Sequence, residues 1–140
     1  MKMSVSILLF AIIFGISLLH FYWGSGRKKW FSASFPSRED GKPVFKPKIV
    51  DCFTVGTGLL LIGIFILLKG GWLDFTIVSW LCTYGLSVIA FVFAVRAVGD
   101  FRYVGFFKSV KNTTFGRMDT RYYSPLCVII AALCLILEYV

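Results

Sequence analysis

The chain has 140 residues, a formal net charge of +8 and 58% hydrophobic residues, of which aromatics make up 18% of the chain. Only 16% is charged and the mean hydropathy is +0.82, which excludes an ordinary soluble domain and leaves room for one membrane domain.

Four apolar runs, Met3 to Trp23, Cys52 to Leu68, Phe75 to Val95 and Pro125 to Val140, are long enough to cross a hydrocarbon core of about 30 Å at about 1.5 Å per residue. The reading is therefore all-α: a polytopic membrane protein of four transmembrane helices in an antiparallel bundle, with an interfacial segment between helices three and four. The expected helices cover about 3–23, 52–69, 75–99 and 124–140, joined by basic loops at 24–50 and 100–123. The first run outlasts a secretory h-region, and the GSGRKKWF that follows lacks a small-x-small cleavage site, so it is read as a retained helix.

Helix one ends in His20-Phe-Tyr-Trp23. Tyr22 and Trp23 suit an interfacial aromatic belt. His20 lies about one turn deeper, where an imidazole either hydrogen-bonds a neighbour or takes a ligand or proton. The loop after it is rich in glycine, serine, proline and lysine, and Pro36, Pro43 and Pro47 forbid a continuous helix. Trp30, Phe31, Phe35 and Phe45 are expected to dip into the headgroup region. Asp51 opens helix two, where a carboxylate favours the positive end of the helix dipole.

Helix two carries Thr54, Gly56, Thr57, Gly58 and Gly63, and helix three Ser79, Thr83, Gly85, Ser87, Ala90 and Ala94, small residues that let helices approach closely. Lys69-Gly-Gly-Trp72 reads as a tight turn between them. Arg96 and Asp100 stand at i and i+4, the spacing of an ion pair. From Phe101 to Val110 aromatics mix with Arg102, Lys108 and Ser109, the composition of an interfacial segment. Asn112 to Gly116 reads as a turn, and Ser124-Pro125 as the N-cap and first position of helix four. Glu138, near its end, is expected to reach water.

Charge sets the topology. Arg27, Lys28, Lys29, Arg38, Lys42, Lys46 and Lys48 fall in the first loop, and Arg102, Lys108, Lys111, Arg117 and Arg121 in the third. By the positive-inside rule both basic loops face the cytoplasm and both termini face outward. The same rule accounts for the basic charge without a nucleic acid; the bilayer and its anionic headgroups are the expected partners, together with another membrane protein if the chain is an accessory subunit.

Helix parity gathers His20, Trp23, Asp51, Arg96, Asp100, Arg102, Asp119, Tyr122 and Tyr123 at one end of the bundle, as one vestibule for an anionic amphipathic ligand. Three readings follow: a lipid- or precursor-binding protein that assists transport or envelope synthesis; a small enzyme on a lipid-like substrate, with His20, Asp100 or Asp119 as acid or base and Arg96 as anion clamp; or a structural subunit docking through its small-residue faces. GxSxG, HExxH, P-loop and GxGxxG patterns are absent. A single histidine and four cysteines without a CxxC leave no metal centre, the thiols reading as small hydrophobes. The sequence names no cofactor.

The pattern His20-x-x-Trp23-x-x-Gly26, the VRAVGDFR stretch from Val95 to Arg102, and the run Thr114-Phe115 to Asp119-Thr-x-Tyr122-Tyr123-Ser124-Pro125-Leu126 resemble an uncharacterised bacterial family of small integral membrane proteins, domain of unknown function 3995. The resemblance covers nearly the whole chain. It implies a four-helix protein of the bacterial cytoplasmic membrane and carries no activity with it.

Overall fold

The structure, a computed structural model, describes residues 1–73 and 76–140. Its elements are α1 (Lys2–Gly24), the single turn α2 (Phe31–Ser34), α3 (Ile49–Lys69), α4 (Ser79–Val98), α5 (Thr114–Met118), a π turn (Asp119–Tyr123) and α6 (Ser124–Tyr139). Among the described residues the single extended feature is one antiparallel bridge, Ser37 to Pro43. Four helical spans are long and apolar enough to cross a membrane: Lys2–Gly24, Ile49–Lys69, Ser79–Val98 and the continuous Thr114–Tyr139.

The protein is thus an all-α, polytopic antiparallel bundle built as two helix pairs. α1 packs along α3 and α4 along α6, and α1 also touches α6. Leu9 and Ile13 of α1, Ile66 of α3, Leu86 and Ala90 of α4, and Ile130, Ala131, Cys134 and Leu137 of α6 form one buried cluster. The remaining apolar faces are exposed, as a bundle solvated by lipid requires.

The small residues of α3 and α4 act as sockets for aromatic rings. A methyl group placed on Gly56 would meet the Phe21 ring at 3.0 Å, and one on Gly63 the Phe10 ring at 3.1 Å. A β carbon on Gly85 would meet the Phe65 ring at 2.5 Å, and one on Gly24 at the end of α1 the Phe53 ring at 3.0 Å. Dispersion between ring and backbone replaces the hydrophobic drive that lipid removes. Ser17 reinforces the α1–α3 seam by donating to the Gly56 carbonyl at 2.7 Å. Gly58 has no neighbour within 4 Å and takes no part.

Several expected boundaries shift. α3 begins at Ile49, so Asp51 lies inside its first turn and accepts from the Lys48 N–H at 2.8 Å. The expected start of the third helix at Phe75 lies outside the described residues; the helix runs Ser79–Val98, with Gly99 as its cap. The last helix starts at Thr114, ten residues before Ser124. Thr113 is its cap, its hydroxyl accepting from the Gly116 N–H at 2.9 Å. Ser124 is helical and makes no cap bond. Proline lacks a donor and its ring crowds the carbonyl four residues back. The wide π turn, in which Ser124 N–H reaches the Asp119 carbonyl, lets the helix pass through Pro125 instead of starting there.

At the end of the bundle carrying the α3–α4 turn, the Trp72 indole donates to the Ser6 hydroxyl at 3.1 Å. Lys69 donates to the Cys82 carbonyl and lies 3.7 Å from Glu138. Glu138 is mostly covered, with one buried oxygen unpartnered, so it is tied to Lys69 rather than extended into water. The cysteines are free thiols, Cys52, Cys127 and Cys134 buried and Cys82 on the helix surface.

After α4 the chain folds back on itself. Gly99 and Gly105 both adopt φ of +89°, and their α carbons meet because neither carries a side chain. Phe106 N–H then caps the free Ala97 carbonyl at 2.8 Å. A β carbon on Gly99 would overlap the Val104 carbonyl. Gly99→Ala should therefore lower stability by about 2 kcal/mol through the disallowed φ and the clash, read as a lower Tm of the purified protein in detergent; an unchanged Tm would count against this close approach.

Candidate functional site

Asp119 opens the π turn and is fully buried, 0% exposed. An isolated carboxylate there would be costly, and the loop from Gly99 to Val110 exists in this form to supply its donors. Arg96, in the last turn of α4, donates Nη2 to Oδ1 at 2.9 Å. Lys108 Nζ and Gly105 N–H donate to Oδ2 at 2.9 and 2.8 Å. Lys108, itself 1% exposed, spends its other donors on the Gly105 carbonyl at 2.8 Å and the Thr120 hydroxyl at 2.6 Å. Each ammonium hydrogen thus has an acceptor, the condition under which burying a charge pair is tolerable.

The Arg96 partner expected from spacing was Asp100; the structure corrects this to Asp119. Asp100 lies beyond the end of α4 and turns its carboxylate onto its own loop. Its Oδ1 accepts from the N–H groups of Arg102, Tyr103 and Val104 at 2.9, 2.7 and 2.9 Å. Burial alone would raise the Asp100 carboxyl, but these donors outweigh it and hold it below the usual carboxylate range.

The other expected site residues fall into separate places. Trp23 is buried, donates its indole N–H to the Lys29 carbonyl at 3.1 Å, and packs edge-on to Phe31 and Phe35. Trp30 and Phe45 stay exposed. His20 uses Nδ1 on the Ile16 carbonyl at 2.9 Å and meets Trp23 edge-on. Tyr123 donates to the Ala33 carbonyl at 3.2 Å, tying the first loop to the π turn. Tyr122 faces outward under the Arg121 guanidinium. Asp51 is a helix cap. Among the described residues no hydrogen bond or ion pair joins His20, Asp51 or Asp100 to the Arg96–Asp119–Lys108 triad. Of the nine residues, Arg96 and Asp119 meet, His20 packs on Trp23, Asp100 accepts from the Arg102 N–H, and Trp23 and Tyr123 clasp the first loop.

The open space at this end lies between the two basic loops. A polar groove of about 560 Å³ is lined by Ser32, Ser37, Arg38, Glu39, Gly41, Asn112, Thr113, Thr114 and Arg117. A second, of about 670 Å³, shares Arg38 and Glu39 with it and adds Asp40, Val44, Arg102, Tyr103 and Val110. Of the expected site residues, Arg102 alone lines this space. Guanidinium or ammonium groups cover aromatic rings in the pairs Arg27–Tyr22, Lys29–Trp30, Arg102–Tyr103 and Arg121–Tyr122, of which Arg102–Tyr103 lines the second groove, a pairing suited to the headgroup layer. Among the described residues no group of His, Cys, Asp and Glu could hold a metal ion.

Sequence reasoning missed Lys108, Arg38 and Arg117 as specific residues because a loop lysine or arginine looks the same whether it orients a helix, neutralises a carboxylate or lines a groove. The Thr113-x-x-Gly116 cap was a readable signal for the early start of the last helix.

The family model for a protein of unknown function, DUF3995, matches residues 13–134, and the chain belongs to that family. No curated protein and no solved structure matches it.

Removing one member of the triad should cost far more than removing a charge pair together. Lys108→Met should lower stability by about 3 kcal/mol, and Lys108→Met/Asp119→Asn should recover part of that loss, both read by thermal unfolding in detergent. The Asp100 turn should depend on pH. Because its folded pKa is lowered, its contribution is present above the unfolded value of about 3.9 and disappears as pH falls through the folded one. Hydrogen-exchange protection at Arg102, Tyr103 and Val104 should therefore persist through the ordinary carboxylate range and drop only below it, and Asp100→Asn should remove this step.

Proposed function

We propose that this member of a family without an assigned activity is a non-enzymatic protein of the bacterial cytoplasmic membrane that binds the anionic phosphate or carboxylate of a lipid or lipid-precursor headgroup at its cytoplasmic face. Its basic loops lie inside and both termini outside, by the positive-inside rule, and it serves as an accessory to a transport or envelope-synthesis protein.

The observation that carries this reading is the polar groove between the loops, with Arg38 and Arg117 on its walls and hydroxyl or amide groups of Ser32, Ser37, Asn112, Thr113 and Thr114 around them. Guanidinium forks match the oxygens of phosphate or carboxylate. The ring-and-cation pairs nearby suit the depth at which a headgroup sits while its chains lie along the exposed apolar helices. Asp119 already accepts from Arg96, Lys108 and Gly105. It fits a structural counter-charge better than a free general base.

Mass spectrometry of the protein purified from native membranes in mild detergent should find an amphipath bound that carries a phosphate or carboxylate in its headgroup. Arg38→Ala/Arg117→Ala should reduce its occupancy about tenfold, the effect of about 1.4 kcal/mol from lost charge-assisted bonds. Equal occupancy in the variant and the parent protein would overturn the reading.

A further inference from the structure

The groove is not uniformly basic. Glu39 lines both of its parts and Asp40 the second, beside Arg38, Arg102 and Arg117. Among the described residues the ion pairs are Lys69–Glu138, Arg96–Asp119 and Lys108–Asp119, so none of these five neighbouring charges is paired with another. Asp40 accepts through Oδ1 from the Lys42 N–H at 3.0 Å, and the Arg102 guanidinium lies over the Tyr103 ring 5.2 Å from its centroid. Opposite charges that share a cavity without neutralising one another offer both signs to whatever enters. A ligand carrying only negative charge would use the arginines and be repelled by the carboxylates. One carrying both signs satisfies both sets of groups.

Resting on the headgroup-binding reading above, we propose that the groove selects a phosphate that also bears a primary ammonium, whether as a phosphoethanolamine headgroup or as free phosphoethanolamine. Arg38 and Arg117 take the phosphate oxygens, and Glu39 with Asp40 accepts from the ammonium. The hydroxyls of Ser32 and Ser37 are placed to complete the phosphate's hydrogen bonds. An ammonium with N–H donors is required, because a carboxylate that bonds only by charge in this open groove gains little.

The test uses the full chain in mild detergent with phosphatidylethanolamine, phosphatidylglycerol, phosphatidic acid and phosphatidylcholine of identical acyl chains, scored by native mass spectrometry. Phosphatidylethanolamine should bind about fivefold better than phosphatidylglycerol or phosphatidylcholine. Glu39→Gln/Asp40→Asn should abolish that preference while retaining phosphatidylglycerol binding, and circular dichroism should show unchanged helix content, since both positions are exposed loop residues. Competition by free phosphoethanolamine at the lipid's concentration would assign the recognition to the soluble headgroup alone; its failure to compete would assign it to the lipid, and either supports the selection. Phosphatidylglycerol and phosphatidic acid binding as well as or better than phosphatidylethanolamine would overturn this inference and leave the headgroup-binding reading standing. Binding of no lipid above phosphatidylcholine would overturn both.

Discussion

The buried carboxylate of Asp119 is the constraint on which the basic end of the bundle depends. Placed at the mouth of the last helix and cut off from water, it has to be neutralised by groups brought from elsewhere. Arg96 comes from the end of α4, and Lys108 and the Gly105 N–H come from the returning loop. The facing glycines allow the loop to close tightly enough for that, and Asp100 holds the turn between them through three backbone N–H groups. A stretch with little regular secondary structure is thereby given a single conformation by electrostatics.

That fixed loop forms one wall of the groove; the other is fixed by different means. The first loop, broken by prolines, is held by aromatic packing of Trp23 with Phe31 and Phe35, by the Trp23–Lys29 bond and by the Tyr123–Ala33 bond. A charge cluster on one side and a ring cluster on the other hold the two loops around the space lined by Arg38 and Arg117. Neither cluster contributes its own residues to that space, so the groove arginines remain available to a ligand.

How much of this the sequence disclosed follows from the range of the interactions involved. The four spans were legible because hydrophobic run length is a local property, and the chain ends of α1 and α3 differ from expectation by a few residues at most. The aromatic sockets at Gly56 and Gly63 were legible as small-residue faces, though not the rings that fill them. The origin of the last helix was misplaced because Ser124-Pro125 is a strong local start signal that a π turn overrides. The Arg96–Asp100 pairing failed because Asp119, twenty-three residues from Arg96, competes for the guanidinium from a dry position. Lys108 carried no local mark at all: its burial is decided by the fold of the loop that contains it.

The π turn sets the rotational phase between two tasks of one helix. In an α-helix each residue turns the chain by about 100°, so the direction in which Asp119 points would dictate which side chains further along face the bundle. The wider turn between Asp119 and Tyr123 absorbs the mismatch. The carboxylate can meet Arg96 and Lys108 while Ile130, Cys134 and Leu137 still face the core cluster. A regular α-helix through the same residues would keep one of these orientations and give up the other, which makes the wide turn, as well as the composition of the segment, a property the fold requires.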